Sequence, residues 1–382
     1  MRKIKICDIV RNSVWYDPRV IKQIDEYNNN GFDVYIVGEE DNRYNEEEVQ
    51  KLKGTVRLIR LKEKYKKRRY KFDTFYKELF LYKRYVEEIV KCKPEIIHAN
   101  DLNALFPAYL ASKKLKCKVI YDTHEIFTEN IGVVSSFIWR TYYKLLERII
   151  VKKVDLIVCV SNAAAEYIAQ MYNIPKPMVV TNCTKKQLID ESIVKSDKFE
   201  VLNHGQFYEG RGYELMIDAA KLTCNDNIRY VLRGFGKLET KLRQSVIDNN
   251  LSNVEFAPPV KTTELIPYAR KSRVGLAITL PINLNFKVSV SNKIFEYLAA
   301  GLPVIMSDIP EHRYLNEKYN FGIVLKENSP EALNEAVEML YNNQELYDMY
   351  AKNAKTTAND LNWETEFKKL IDFELKLVGN HI

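Results

Sequence analysis

No stretch of this sequence is long and apolar enough to predict a membrane-spanning helix, which needs roughly 20 such residues. Histidine occurs only five times, and among the six cysteines no pair is spaced for a zinc site. We therefore expect no metal centre, and we expect the cysteines to be buried thiols in a reducing compartment. Low-complexity tracts and short repeats are also missing, so an ordinary globular fold is expected.

The length of 382 residues allows two domains, each with its own core. The first residues, MRKIKICDIV, are basic and then apolar, as in a targeting peptide, but Lys5 and Asp8 interrupt the apolar stretch. We expect a first buried strand there and the cytoplasm as the compartment.

The net charge of +7 is unevenly distributed along the chain. Residues 1–190 contain 35 basic and 25 acidic side chains, whereas the remainder contains 23 and 26. Within residues 51–118 the ratio is 20 to 7. The N-terminal half is therefore expected to face something negatively charged.

Short β-branched runs alternate with longer segments whose apolar residues recur at helical spacing. Apolar strands separated by helices indicate parallel sheets that are covered on both faces. The predicted strands lie at 3–10, 34–38, 56–61, 96–99, 118–122, 155–160, 178–181, 199–204, 228–234, 253–257, 274–279, 303–307 and 322–325. The pattern occurs twice, with the polar segment 184–198 as the expected linker. It predicts an α/β fold of two Rossmann-like domains facing a central cleft, with ligands beyond the carboxyl ends of the strands.

A glycine-rich loop follows the strand that ends at His204. Its sequence, HGQFYEGRG, contains Gly205, Gly210 and Gly212 and leads into a helix near Tyr213. Such a loop lets the backbone approach a phosphate closely, and the helix start adds N–H groups and partial positive charge. Arg211 adds a forked cation suited to a diphosphate. The alternative is a tight strand–helix turn with a solvent-exposed arginine.

A second cluster lies at the start of the helix after Ser291. Lys293 and Glu296 are three residues apart, so they share one face of that helix. A cation in the first turn opposes the helix dipole, and a neighbouring diphosphate would explain it. Glu296 is suited to accept hydrogen bonds from two vicinal hydroxyls, as carboxylates do with ribose. A surface Lys–Glu pair is the alternative.

These segments resemble the donor site of glycosyltransferase family 4 enzymes of the GT-B fold. The resemblance rests on SNKIFEYLAAGLPVIMSDIPEHR (291–313), on the glycine loop, and on DPRV (17–20), HANDL (98–102), YDTHEIFTE (121–129) and VDLIVCVSNAAAEYI (154–168). It covers nearly the whole chain. It implies an acceptor-side domain at 1–185, joined by a C-terminal helix at 364–382, and a nucleotide-sugar-binding domain at 186–363.

The resemblance also implies roles for individual residues. Arg211 and Lys293 would bind the diphosphate, and Glu296 would bind the ribose. His124 would approach the sugar. The alternative for His124 is a histidine at a strand end whose hydrogen bonds are all made within the protein. The other implied donor residues are Gly205, Gln206, Gly210, Gly212, Arg233, Gly234, Pro259, Val260, Ser291 and Asn292. On the acceptor side they are Asp17, Arg19, Asn100, Asp101 and Glu125.

Two positions depart from the family pattern. Position 288 is valine where many members carry a sugar-binding glutamate, so Ser291, Asn292 or Asn285 is expected to contribute instead. Gln206 stands where a basic residue usually follows the first glycine, which leaves more of the diphosphate charge to Arg211 and Lys293.

The segment KEKYKKRRYKF (62–72) holds seven basic residues at positions 62–71, interleaved with Tyr65 and Tyr70. Cations near anionic lipids gain about 1 kcal/mol each, and aromatic side chains favour the interface. We expect contact with an anionic membrane surface and a peripheral location on the inner face of the cell membrane. A solvated loop is the alternative, and nucleic acid is not expected because no nucleic-acid-binding fold accompanies the segment.

The resemblance thus implies a retaining, metal-independent hexosyltransferase, and we expect it to act in surface polysaccharide or glycolipid synthesis. It would use a UDP- or GDP-type sugar as co-substrate, need no other cofactor, and act on a saccharide or lipid-linked acceptor. A catalytically silent scaffold and a nucleotide-sugar epimerase of the same fold are the alternatives.

Overall fold

The computed structural model describes residues 3–41, 44–60 and 71–379, without the side chains of 71–75 and 131–132. The predicted membrane-binding segment 62–72 therefore lies outside the described residues, except for the backbone of its last two. The chain divides into two compact units, which we call unit 1 (Met1–Thr181 with Glu366–Ile382) and unit 2 (Asn182–Thr365). None of the described helices is long and apolar enough to cross a bilayer.

Unit 1 contains a seven-stranded, all-parallel sheet of order β3-β2-β1-β4-β5-β6-β7. The strands are β1 (Lys5–Val10), β2 (Asp33–Glu40), β3 (Thr55–Arg60), β4 (Ile96–Asn100), β5 (Lys118–Thr123), β6 (Leu156–Cys159) and β7 (Met178–Val179). The described helices are α1 (Pro18–Asn29), α2 (Glu46–Gln50), α3 (Lys71–Cys92), α4 (Leu102–Leu115), α5 (Ile131–Val134), α6 (Phe137–Ile150) and α7 (Asn162–Tyr172). The strand order reverses between β1 and β4, so a crevice is expected where their carboxyl ends diverge.

Unit 2 repeats this plan with a six-stranded parallel sheet of order β10-β9-β8-β11-β12-β13. The strands are β8 (Phe199–Gln206), β9 (Ile228–Phe235), β10 (Val254–Ala257), β11 (Val274–Ala277), β12 (Val304–Met306) and β13 (Gly322–Val324). The helices are α8 (Tyr213–Leu222), α9 (Glu239–Asp248), α10 (Leu265–Arg270), α11 (Leu284–Val288), α12 (Asn292–Ala299), α13 (Pro310–Tyr319), α14 (Pro330–Asn342) and α15 (Gln344–Asp360). The C-terminal helix α16 (Trp363–Gly379) begins in unit 2 and continues into unit 1. Here the order reverses between β8 and β11.

The predicted α/β class with two parallel-sheet domains is confirmed, and all thirteen predicted strands are present. The central strands are apolar on both faces because helices cover both; Ile6 and Ile97, for example, are fully buried. β8 runs two residues beyond its predicted end because Gly205 and Gln206 continue the pairing with β9.

From Glu366 onwards the C-terminal helix belongs to unit 1. Glu374 accepts a hydrogen bond from the Tyr27 hydroxyl at 2.7 Å, and Glu366 accepts one from the Thr181 backbone N–H at 3.0 Å. Burial raises the pKa of Glu374 to about 8. The helix is therefore fixed to unit 1 by polar contacts as well as by the ring of Phe367, which lies 5.2 Å from that of Tyr27.

Candidate active site

A glycine-rich turn joins β8 to α8 in unit 2, and α8 begins at Tyr213. Gly212 occupies the N-cap position in the left-handed region, with φ of 76°, and a Cβ there would collide with the Ile278 side chain. A Cβ on Gly205 would lie 3.6 Å from the Tyr213 hydroxyl and 3.8 Å from Lys293 Cε. The turn therefore brings the start of α8, with its N–H groups and partial positive charge, next to α12.

Asn203 and His204 of β8 form hydrogen bonds with the two predicted site residues of α12, which are Lys293 and Glu296. Lys293 Nζ donates to Asn203 Oδ1 at 2.5 Å, and His204 Nε2 donates to Glu296 Oε2 at 2.6 Å. A carboxylate only accepts, so we assign the proton to Nε2 of His204. Lys293 and Glu296 thus share a helix face, as predicted, and each is fixed to the carboxyl end of β8.

The site holds two desolvated cations. Burial and the nearby Arg211 lower the pKa of Lys293 to about 7, and burial also lowers the pKa of Arg211. The Arg211 guanidinium lies 4.6 Å from the Phe286 ring centroid, and the Lys293 ammonium lies 5.0 Å from that of Tyr213. No carboxylate of the described residues lies within 4 Å of either cation. This cluster of positive charge suits an anion.

Two buried polar atoms at the same place have no hydrogen-bond partner among the described residues: the Tyr213 hydroxyl and His204 Nδ1. The Tyr213 side chain is fully buried, and burial raises its pKa well above the ordinary value. A buried polar group without a partner costs about 1–3 kcal/mol. Both atoms therefore favour a polar ligand beside the glycine turn.

The end of β9 lies directly against the end of β8, next to this turn. A Cβ on Gly234 would collide with the carbonyl oxygen of Gly205. Arg233 precedes it, donates to the Pro258 carbonyl oxygen at 2.9 Å, and places its guanidinium 4.6 Å from the Tyr268 ring centroid. The structure thus brings Gly234 to the glycine turn and holds Arg233 towards the loop that follows β10.

Other predicted donor residues lie along the same sheet edge. Gln206 is the exposed last residue of β8, and Pro259 and Val260 follow β10, exposed and half-buried respectively. Gly210 adopts φ of 77°, and a Cβ there would approach the Phe286 ring to 2.8 Å. The two positions after β10 are two strands away from the cluster of Arg211 and Lys293.

Ser291 and Asn292 begin α12. Ser291 is the N-cap residue, yet its hydroxyl makes no capping hydrogen bond, and its backbone N–H donates to Nε2 of the buried His312 at 3.3 Å. Burial lowers the pKa of His312 to about 4, so this imidazole is neutral and Nε2 can accept. Val288 is the last residue of the short helix α11, which also carries Asn285.

In unit 1, His124 follows β5 and contacts the residues at the end of β4. Its Nε2 lies 3.1 Å from Asn100 Oδ1, and its backbone N–H donates to Asp101 Oδ1 at 3.1 Å. Asn100 in turn donates to the buried Asp8 at 2.5 Å. Burial raises the pKa of Asp101 to about 6. Asp101 also adopts φ of 65° and ψ of 164°, a strained conformation that residues with side chains rarely adopt.

The other acceptor-side residues lie in different environments. Asp17 caps α1 by accepting a hydrogen bond from the Arg19 backbone N–H at 3.2 Å. Glu125 accepts a hydrogen bond from the Asn130 side chain at 2.5 Å. The Arg19 side chain is 3% exposed and binds Asp122 through both carboxylate oxygens. Burial alone would raise the pKa of Asp122, but the Arg19 guanidinium holds it well below its usual range. Arg19 is thus placed to hold Asp122 and not to reach a ligand.

Solved structures share the fold of this chain. A glycosyltransferase from Rickettsia africae ESF-5 superimposes with a TM-score of 0.77 at 16% identity and covers 100% of both chains. The Anabaena protein Alr3699/HepE, solved in complex with UDP-glucose, has a TM-score of 0.70 at 15% identity and covers 97% of this chain and 99% of its own. At these identities the likeness shows the fold.

Sequence comparisons identify the family. The model described as Glycosyltransferase Family 4 matches residues 19–205, and the model described as Glycosyl transferases group 1 matches residues 184–357. Because the two models together span residues 19–357, the chain belongs to glycosyltransferase family 4.

Two uncharacterized glycosyltransferases of Methanocaldococcus jannaschii are similar in sequence. MJ1178 is 26% identical over 211 residues, which is 55% of this chain and 56% of that protein. MJ1069 is 23% identical over 248 residues, which is 60% of this chain and 62% of that protein. The matched region thus spans less than two thirds of either relative.

Proposed function

We propose that this protein transfers a hexose-type sugar from a nucleoside-diphosphate sugar to a saccharide or lipid-linked acceptor. The observation that carries the proposal is the pair of cations Arg211 and Lys293, desolvated beside a glycine turn and without a carboxylate partner in the described part of unit 2. A diphosphate supplies the negative charge and the acceptor oxygens for which such a pair is suited.

In this proposal the diphosphate is the leaving group. Negative charge grows on its oxygens as the bond to the sugar breaks, and Arg211, Lys293 and the N–H groups at the start of α8 stabilise that charge. Glu296, oriented by His204, accepts from the ribose hydroxyls. Because the two side-chain cations neutralise the leaving group, we propose that the transfer needs no bound metal ion.

His124 is proposed to act at the transferred sugar, oriented by Asn100 and Asp101. Its side chain is 17% exposed, which leaves part of the ring accessible to a ligand. Asp17 and Glu125 are proposed to be further acceptor-side residues. Retention of configuration is part of the proposal because the sequence motifs resemble those of a family with this stereochemistry.

The donor is proposed to be of the UDP or GDP type. The complexes of the Anabaena Alr3699/HepE protein with UDP and UDP-glucose support the uridine form. We further propose that the enzyme works in the cytoplasm at an anionic membrane surface, through residues 62–72, in polysaccharide or glycolipid synthesis.

A thermal-shift panel of UDP-, GDP- and other nucleotide sugars tests the proposed donor class. A donor present at 100 times its Kd adds about 2.7 kcal/mol to the free energy of unfolding. If no nucleotide sugar stabilises the protein, the proposed donor site is wrong. Product analysis with the stabilising donor then separates transfer or hydrolysis from epimerization and from a silent scaffold.

Replacing Glu296 with glutamine should raise the Kd of the nucleoside diphosphate about tenfold. The change removes the charged acceptor proposed for the ribose but keeps the size of the side chain, and hydrogen bonds to charged groups contribute about 1.5–3 kcal/mol. Titration calorimetry measures the affinity. Glu255→Gln, which alters an exposed carboxylate on β10 of the same unit, is the matched control and should bind normally.

Donor affinity should fall as the pH rises above 7. Lys293 has a pKa of about 7 in the free site, so it is charged below that pH and loses its proton above it. A bound diphosphate favours the ammonium form, so binding at higher pH requires proton uptake, and the Kd should rise about tenfold from pH 7.5 to 8.5. Calorimetry in buffers of different ionisation enthalpy measures that uptake.

The arginine variant controls this pH dependence. A guanidinium stays charged throughout the range, so Lys293→Arg should bind the nucleotide sugar with an affinity that no longer changes between pH 7 and 8.5. If the affinity of the wild type for the nucleotide sugar is also constant between pH 7 and 8.5, Lys293 does not contact the diphosphate.

A further inference from the structure

Helix α6 of unit 1 presents apolar side chains to solvent. Phe137 is 82% exposed, Ile138 73%, Leu145 59% and Ile149 48%. Residues 138, 145 and 149 recur at spacings of seven and four, so they line one face of the helix, and Phe137 lies next to them. A surface helix ordinarily turns its apolar residues inward, and a contiguous exposed apolar face marks an interaction site.

Basic side chains border this face. Arg148 is exposed between Leu145 and Ile149, and Lys152 and Lys153 are exposed directly after the helix. Lys153 lies 5.7 Å from the centroid of the Tyr109 ring of α4. The surface therefore combines apolar side chains with several cations.

Acidic side chains of this region are turned away from the face. Glu147, the one carboxylate in the sequence of α6, is 3% exposed and accepts hydrogen bonds from Tyr121 and Tyr172. Glu129, which precedes α5, is neutralised by Arg140 of α6 at 2.6 Å. The exposed face is thus apolar and positively charged at once.

We propose that this face of α6 docks on an anionic lipid bilayer. Phe137, Ile138, Leu145 and Ile149 would enter the boundary between headgroups and acyl chains, while Arg148 and Lys152 would reach the phosphates of the headgroups. A symmetric contact with a second copy would instead bring the same cations together, which is unfavourable. The charge of the face therefore favours lipid over self-association.

The same helix is connected to the predicted acceptor-side loop. Glu129, five residues after His124, pairs with Arg140 and with Lys144 at 3.1 Å, and the Phe127 ring lies 5.0 Å from the ring of Tyr143. Docking would therefore hold the loop that follows His124 near the bilayer surface. This consequence rests on the proposed transferase function, whereas lipid binding by α6 does not.

Vesicle flotation with the full-length protein tests the proposal. Wild-type protein should float with vesicles of phosphatidylcholine and phosphatidylglycerol and much less with phosphatidylcholine alone. Phe137→Ser combined with Ile138→Ser should weaken binding about tenfold or more, because each removes an apolar group that would be buried in lipid. The matched control is Leu188→Ser with Val194→Ser, where side chains of 97% and 83% exposure lie in unit 2; it should bind like wild type.

A charge variant keeps the test valid if the apolar variant fails to fold. Arg148→Gln with Lys152→Gln should weaken binding to the anionic vesicles about fivefold per charge removed, with no effect on phosphatidylcholine vesicles. Unchanged binding in both variants would assign lipid binding to another part of the chain and overturn the proposal. A wild-type dimer that the apolar variant dissociates, measured by light scattering, would also overturn it.

Measuring donor binding in solution distinguishes a failure of the docking proposal from a failure of the proposed transferase function. The α6 variants should show the wild-type thermal shift with the nucleotide sugar, because the donor residues lie in unit 2. Loss of vesicle binding with an intact donor shift supports docking by α6. A wild-type protein that binds vesicles but no nucleotide sugar would overturn the transferase proposal and leave the docking surface standing.

Discussion

Arg211→Ala should lower kcat/KM roughly 30- to 1,000-fold, which corresponds to about 2–4 kcal/mol of transition-state stabilisation. The guanidinium is desolvated in a site where negative charge is proposed to grow on the leaving diphosphate. A preorganised charge in such a place acts more strongly than it would in water. Steady-state kinetics with the donor found by thermal shift measure the loss.

Arg211→Ala should not destabilise the fold. The described residues give this guanidinium a ring contact with Phe286 but no carboxylate partner, and burial lowers its pKa, so the folded protein holds the charge at a cost. The free energy of unfolding of the variant should therefore equal or exceed that of wild type. This separates a functional role from a structural one, because a structural arginine would lower stability when removed.

Arg229→Ala is the matched control. Arg229 lies on β9 of the same unit and pairs with Glu255 at 2.9 Å on the exposed surface. Its removal should leave kcat/KM within a factor of two, since exposed pairs contribute little. If Arg211→Ala retained normal turnover with the same donor, the diphosphate role of this residue would be refuted.

The strands were predictable because in this fold they are buried on both faces. Their sequences are short, β-branched and apolar, and few other structures give this pattern. Several helices of unit 2 were harder to predict. α10 and α11 have only six and five residues, too short to show a helical period, and α13 is rich in polar side chains. Their position depends on packing against the sheet.

The cations and glycines of the candidate site could be predicted because their chemistry is uncommon at the end of a strand. Arg211, Lys293 and Glu296 do lie around one glycine turn. The partners Asn203 and His204 could not be predicted, because they precede the turn within β8 and look like ordinary strand residues. Their role depends on which face of α12 lies over β8, and a sequence does not specify that packing.

The buried contacts of Arg19, unlike the clustering of Arg211 and Lys293, could not be predicted from the sequence. The family resemblance, of which the DPRV motif after β1 is a part, implied an acceptor-side role, yet the side chain is directed into unit 1. The deciding partners, Asp122 and the carbonyl oxygen of Val180, are more than 100 residues away along the chain. The position of Arg19 in the sequence therefore predicted which strand it follows, but not which groups its side chain contacts.

That environment makes Arg19→Met the variant with the largest expected effect on stability. The change should lower the free energy of unfolding by about 3–5 kcal/mol, because it leaves the carboxylate of Asp122 uncompensated in the interior. Asp122 is fully buried, and Gln23 and His98, which also contact it, replace only part of the lost interaction. Urea denaturation followed by tryptophan fluorescence is suitable, since Trp15 and Trp139 both lie in unit 1.

Arg60→Met provides the control for Arg19→Met, because Arg60 also pairs with a carboxylate of unit 1, that of Glu40, but is 72% exposed. Its denaturation midpoint should match that of wild type. The loss in Arg19→Met should also shrink at low pH, because protonation of Asp122 removes the unpaired charge. Without Arg19 the pKa of Asp122 should rise, since burial then dominates, so the variant would regain relative stability as the pH falls towards 5. A midpoint equal to that of wild type at pH 7 would show that the buried pair does not hold unit 1 together.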